Sequence, residues 1–174
     1  MGWIVYPTIN LRQSEDRWAL IAADAARCGI ELRRIDAVDG RQIDRSDWRD
    51  FDAAKFARCN GRRPMAGEYG CYRSHVKALQ TFLETDATSA VILEDDARLN
   101  ELLPTFAAML DERYGRKKCL VRLTSHRQPA FEKLKNGLDG YVIGQCWFGP
   151  TGSAAAYWLT RPAAEQLLQT MLPA

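Results

Sequence analysis

Apolar positions recur along this chain in two periods, and the switching between them predicts an α/β fold. Residues 2–11 (GWIVYPTINL) read as a strand, with Pro7 pointing to an edge position or an irregularity. Ser14 then stands as a helix N-cap, with Glu15 and Asp16 in the favourable first turn. Trp18, Ile21 or Ala22, and Ala25 follow at helical spacing up to Cys28, and Gly29 supplies the stop. IELRRIDAV (30–38) is a second strand and DGR (39–41) a turn, so the chain opens strand–helix–strand and predicts a parallel pair.

Residues 42–58 are charged and irregular, in the manner of short helices, and CNGRRPMAG (59–67) is a loop rich in turn formers. Tyr69, Tyr72, Val76, Leu79 and Leu83 are three and four apart, which makes one apolar stripe on a helix. SAVILE (89–94) is the most strand-like segment. A helix over 102–114 follows, then strands over 117–125, 140–148 and 153–161. Pro162 opens a last helix over 163–171.

Composition adds bounds. A chain of 174 residues fits one domain with a real core, and 47% hydrophobic with 26% charged residues is an ordinary globular mixture. A net charge of +2 gives no general reason to expect nucleic acid as a partner. No apolar run reaches the roughly 18 residues a membrane span needs. The first ten residues lack the pattern of a signal peptide, and Tyr6 breaks the myristoylation pattern, so the expected location is the cytoplasm. Cys28, Cys59, Cys71, Cys119 and Cys146 are odd in number and widely spaced, and the only histidines are His75 and His126. Neither a disulfide framework nor a zinc site is suggested by those spacings. The basic run RYGRKK (113–118) is a solvated loop or a peripheral contact with an anionic membrane surface.

The chemistry concentrates at Glu94, Asp95 and Asp96, three adjacent carboxylates at the end of a strand. Such repulsion is relieved by solvent, by protonation or by a bound cation. Along an extended chain Glu94 and Asp96 would share a face, with Cα atoms about 6–7 Å apart, and Asp95 would face the other way. Two carboxylates so placed can hold a hard divalent cation together with substrate phosphates. The alternative is a solvated acidic turn that caps the next segment. Arg17 lies at the carboxyl end of the first strand, in the first turn of a helix, where a cation opposes the helix dipole. It is a candidate phosphate clamp or a surface arginine paired with an acidic neighbour. His75 sits at the border of the apolar stripe, as a buried hydrogen-bonded histidine or as an orienting residue beneath the acidic rim. Ser74 and Glu68 are open in the same way. A receiver-like phosphoryl domain is disfavoured, because the acidic cluster comes late and the strand CLVRLTS carries no Asp.

Several of these segments, in this order, resemble glycosyltransferase family 25, the lipooligosaccharide biosynthesis glycosyltransferases, with collagen galactosyltransferase domains as distant relatives. The segments are INLRQSEDR, IDAVDGR, GEYGCYRSH, VILEDDA and GSAAAYWLTRPAAEQLL. The resemblance implies a GT-A-like (Rossmann-like), mostly parallel mixed sheet flanked by helices. It implies transfer of a hexose, often galactose, from a UDP-sugar to a glycan acceptor, with Mn²⁺ or Mg²⁺ as cofactor. Asp96, with Glu94 beside it, would hold the metal at a DxD-like motif. Ile9, Asn10, Leu11 and Arg17 would contact the nucleotide, with Asp36 and Asp39 flanking the same pocket and Ser74 and His75 beneath it. An inverting transfer needs a general base near the acceptor, which Asp95, Glu94 or a further C-terminal segment would supply. Family members usually run on past the position of Leu172, so the expectation is one domain over 1–174 that lacks a C-terminal acceptor-side segment. A nucleotide-sugar-binding module without catalysis is the alternative.

Overall fold

The computed structural model describes residues 3–125, 127–128, 130–148 and 152–172. Gly2 of the first strand reading and His126 lie outside the described residues. The expected opening is present: β1 (Ile4–Asn10), α1 (Glu15–Arg27) and β2 (Leu32–Asp36). Two short 3-10 turns, Gly40–Gln42 and Arg45–Asp47, lead to α2 (Ala53–Asn60). Then come α3 (Ala66–Leu83), β3 (Ser89–Glu94), α4 (Leu103–Tyr114) and β4 (Leu120–Arg122). The chain continues through β5 (Phe131–Asn136), β6 (Val142–Cys146), β7 (Ala156–Thr160) and α5 (Arg161–Met171).

Five strands form one sheet in the order β2-β1-β3-β7-β4, and β5 and β6 form a separate hairpin. β1 pairs parallel with β2 and with β3, whereas β7 runs antiparallel to both its neighbours. The sheet is therefore mixed and mostly parallel, with helices on both faces. Alternation along β3 assigns those faces. Ala90 and Ile92 pack with Leu79 and Phe82 of α3 and Ala164 of α5. Val91 and Leu93 pack with Ile21 and Ala25 of α1 and Ala107 and Leu110 of α4. Burial on both sides is why β3 reads as an unbroken apolar run rather than an alternating one. No helix among the described residues is long and apolar enough to cross a membrane.

Of the two meanings open for Pro7, an edge is excluded, because β1 lies between β2 and β3. Pro7 marks an irregularity: the β1–β3 pairs pass from Val5–Ala90 to Thr8–Leu93, skipping Tyr6 and Pro7, where proline has no N–H to give. β5 went unread, because FEKLKN is exposed along its whole length and has no buried face to create a pattern. The loop before α3 is shorter than expected, since α2 extends to Asn60 and α3 begins at Ala66.

Candidate functional site

β1 is followed in the sheet by β2 on one side and β3 on the other, so the chain reverses its direction of travel across the sheet there. In open α/β sheets the crevice outside the carboxyl ends at such a switch point is where ligands bind. Asn10, Ser14, Arg17, Glu94 and Asp95 meet at this place, and Asp36 ends the neighbouring strand.

Asn10 is the centre of the β1 side. It is buried, and its side-chain amide donates to Asp95 Oδ2 at 2.7 Å and to the Ser14 carbonyl at 3.0 Å. Its Oδ1 accepts from Arg34 Nε at 3.0 Å and Nη2 at 2.5 Å. Arg34 also pairs with Glu15, at 2.9 Å. Ser14 holds the N-cap position of α1 without a side-chain cap bond, and Asn10 takes its carbonyl instead. Arg17 reaches from the first turn of α1 to Asp95 Oδ1 at 3.2 Å, with more than half of its side chain exposed. Arginine and carboxylate therefore occupy one rim, and each of Asp95's oxygens has a protein partner.

On the other side of β3, Glu94 points towards α3. Its Oε1 accepts from His75 Nε2 at 3.0 Å, and the Cys71 thiol lies 3.8 Å from the same oxygen. His75 Nδ1 and the Tyr157 hydroxyl share a hydrogen bond of 3.0 Å. A carboxylate only accepts, so in the neutral ring Nε2 carries the proton and Nδ1 accepts from Tyr157. The hydrogen bond from His75 holds the Glu94 carboxyl below the ordinary carboxylate range, against the opposing effect of burial. Cys71 is an exposed residue, but partial desolvation of its thiol, with the Glu94 charge beside it, pushes it up to about 11. Burial, with the same carboxylate nearby, drives Tyr157 well above the usual phenol, so it stays a neutral donor.

Asp96 stands apart. It is exposed and has no hydrogen-bond or ion-pair partner among the described residues. The extended geometry expected for Glu94 to Asp96 does not hold, because β3 ends at Glu94 and Ala97 N donates back to the Glu94 carbonyl at 3.1 Å. Glu94 and Asp96 are not same-face neighbours along a strand, since the chain turns between them. An exposed, unpartnered carboxylate beside a second one is an all-oxygen donor set that fits a hard divalent cation.

The loop after β2 is seated by α3. Ser74 Oγ accepts from Val38 N at 2.8 Å and donates to the Gly70 carbonyl at 2.7 Å. Gly40 and Gly70 pass so close that a Cβ on Gly70 would lie 2.5 Å from the Val38 carbonyl oxygen. Ser74 thus acts on the site by fixing the backbone that follows Asp36. Asp36 is exposed at the rim, its carboxylate 3.5 Å from Arg12 and its carbonyl accepting from Lys77. Asp39 caps the 3-10 turn by accepting from Arg41 N, and the Arg41 guanidinium holds its carboxyl below the ordinary range. Ile9 is buried in the core and paired with both neighbouring strands, and Leu11 follows the end of β1. In the basic run, Arg113 is engaged with the Asn136 carbonyl at the base of the hairpin.

Sequence reasoning missed Arg34, Cys71 and Tyr157. Arg34 carried a signal, a charge inside a strand of a two-sided sheet. Cys71 lies one helical turn before His75, a spacing that places both on one face. Tyr157 had only its position after the small-residue run 153–156.

Carboxylates, an amide and an arginine thus gather at the switch point of an open α/β sheet, the place where such sheets bind their ligands. The model of glycosyltransferase family 25 (LPS biosynthesis protein) matches residues 6–173, and the chain belongs to that family. It is similar to the rat "Probable inactive glycosyltransferase 25 family member 3" (Rattus norvegicus), 27% identical over 176 residues, which covers 97% of this chain and 30% of the relative. A "Glycosyltransferase 25 family member" of Aedes aegypti is 30% identical over 94 residues, 52% of this chain and 16% of the relative. Mouse "Procollagen galactosyltransferase 2" (Mus musculus) is 26% identical over 102 residues, 56% of this chain and 16% of the relative. The chain thus matches between about a sixth and a third of the length of these relatives.

Proposed function

We propose that the chain transfers a hexose, galactose or glucose, from a UDP-sugar to a lipooligosaccharide or other glycan acceptor, with Mn²⁺ or Mg²⁺ assisting. The observation that carries this is the meeting of Asn10, Arg17 and Asp95 at the β1–β3 switch point, with the unpartnered Asp96 next to them. Asp96 would hold the cation, Glu94 contributing at most through Oε2, which accepts no hydrogen bond from the described residues. Bound there, a divalent cation supplies neutralisation of the charge that develops on the leaving diphosphate. Arg17, largely exposed and tied to Asp95 by one contact, exchanges that contact for a phosphate oxygen. The backbone of Ile9–Leu11 and the loop carrying Asp36 and Asp39 flank the nucleoside. Glu94 suits the general base better than Asp95: it stays ionised and keeps one oxygen free, whereas Asp95 has both engaged.

The test is turnover of UDP-galactose and UDP-glucose with Mn²⁺ and a glycan acceptor, comparing the parent with Asp96→Ala. The expected loss is about 10²-fold or more, the scale of removing a main charge stabiliser. Turnover unchanged by the substitution removes the metal role of Asp96. A second reading, a nucleotide-sugar-binding protein without turnover, is favoured by the rat relative named as probably inactive, which matches almost the whole chain. UDP binding with no transfer from any UDP-hexose would select it.

A further inference from the structure

We propose that Cys71, His75 and Glu94 form a binding site for a borderline-soft divalent cation such as Zn²⁺, separate from the hard-ion position at Asp96. One ligand atom from each of the three residues can be chosen so that all lie within 4.8 Å of one another. Glu94 Oε1 is 3.0 Å from His75 Nε2 and 3.8 Å from Cys71 Sγ. A tetrahedral ion at zinc's bond lengths of ~2.0–2.3 Å sets its ligands about 3.3–3.6 Å apart, and the two separations measured from Glu94 Oε1 lie on either side of that spacing.

Two of the ligands come from one element. Cys71 and His75 are four residues apart on α3 and share its face towards β3, where Glu94 ends the strand. The surroundings supply what such a site requires. Tyr157, on β7, holds the far ring nitrogen of His75 and fixes the ring plane, the role an outer partner plays for a metal-bound imidazole. When His75 Nε2 takes up the ion, the ring proton sits on Nδ1, which donates a hydrogen bond to the Tyr157 hydroxyl oxygen. Cys71 is exposed, which gives the ion a way in and leaves a fourth position for water.

Binding balances simply. The cation displaces one proton from the Cys71 thiol, the Glu94 carboxylate is already ionised, and His75 enters neutral. No electron is transferred. Thiolate and imidazole select a borderline-soft ion over Mg²⁺, while Asp95 and Asp96 offer only oxygen. The two positions therefore sort metals by chemistry, and this one needs no nucleotide and no turnover to be observed.

The experiment is a Co²⁺ titration of the reduced, chelator-treated full chain, followed by absorption. The expected result is a thiolate-to-cobalt charge-transfer band in the near ultraviolet that saturates at one ion per chain. Zn²⁺ bleaches it stoichiometrically and a large excess of Mg²⁺ does not. Cys71→Ser, a change at an exposed position, abolishes the band, and His75→Gln weakens binding by about tenfold or more. Asp96→Ala leaves it intact, which separates this site from the one proposed for the sugar donor. Absence of the band in the parent, or a band unaffected by Cys71→Ser, overturns the proposal. A band lost in Asp96→Ala overturns the separation of the two positions.

Discussion

Replacing Asn10 by Asp tests the electrostatic design of the rim with an almost isosteric change. Asn10 Nδ2 donates to Asp95 Oδ2 at 2.7 Å, and the substitution turns that donor into a second carboxylate oxygen. At neutral pH one contribution is loss of a hydrogen bond to a charged acceptor, about 1.5–3 kcal/mol. The other is like-charge repulsion at hydrogen-bond distance, which the pair escapes by capturing a proton. Protonating a carboxyl of ordinary pKa at pH 7 costs roughly 4 kcal/mol, and this caps the repulsion. Arg34, which already contacts Oδ1, and Arg17 offset part of it. The expected destabilisation at pH 7 is therefore about 2–4 kcal/mol.

The sign with pH follows from the captured proton. The pair's pKa in the folded variant lies above its unfolded value, so the proton stabilises the fold below the unfolded pKa and this is lost as pH rises through the folded one. Near pH 4 the shared proton restores an O–H···O bond and the variant approaches the parent. Asn10→Ala loses the same bond without creating a charge, so its deficit of about 2–3 kcal/mol varies little with pH. Urea unfolding of the three proteins at pH 4.5 and 7 reads all of this. An Asn10→Asp protein as stable as the parent at pH 7, or equally destabilised at both pH values, refutes the arrangement described.

Other perturbations separate positioning from binding. Gly70→Ala places a Cβ 2.5 Å from the Val38 carbonyl oxygen and should cost about 1–2 kcal/mol net of helix propensity, whereas Gly67→Ala, facing open space in the same helix, should stabilise by about 0.5–1 kcal/mol in thermal unfolding. Arg17→Ala should weaken UDP binding about tenfold in a calorimetric titration while changing stability by about 1 kcal/mol, since the Arg17 side chain is more than half exposed and the largely buried Asp95 keeps its hydrogen bond from Asn10. The Arg62 guanidinium holds the Glu68 carboxyl below the ordinary range, and Glu68 accepts from Met65 N at the start of α3. Its contribution is present above the unfolded carboxyl pKa and is lost as pH falls through the depressed folded one. Glu68→Gln should thus cost about 1 kcal/mol at pH 7, with the difference from the parent shrinking on acidification.

What was legible in the sequence was what short-range periodicity encodes. The stripe on α3 and the run of β3 announced themselves because one covers a sheet and the other is covered on both faces. Pro7 left an edge and an irregularity open, and the irregularity holds, because proline is tolerated in a central strand where a ladder bond can be skipped. β5 left no trace, because a strand exposed along its whole length has no buried face to set a pattern. At the site, the acidic triplet and Arg17 were visible as charges against their local environment. Their division of labour was not, because it depends on a turn beginning after Glu94 and on partners far along the chain. Asn10 and Asp95 are 85 residues apart, and His75 and Tyr157 are 82 apart. No local pattern records such pairings. The resemblance to a family located the rim, and the geometry divided it into an arginine-and-amide side facing α1 and a histidine-and-thiol side facing α3.

The most direct test of the proposed donor site is a crystal structure of the chain with UDP and Mn²⁺ bound. The diphosphate is expected over the carboxyl ends of β1 and β3, with Mn²⁺ on the Asp96 carboxylate and Arg17 turned from Asp95 to a phosphate oxygen. A diphosphate bound elsewhere, or Mn²⁺ held without Asp96, would contradict it.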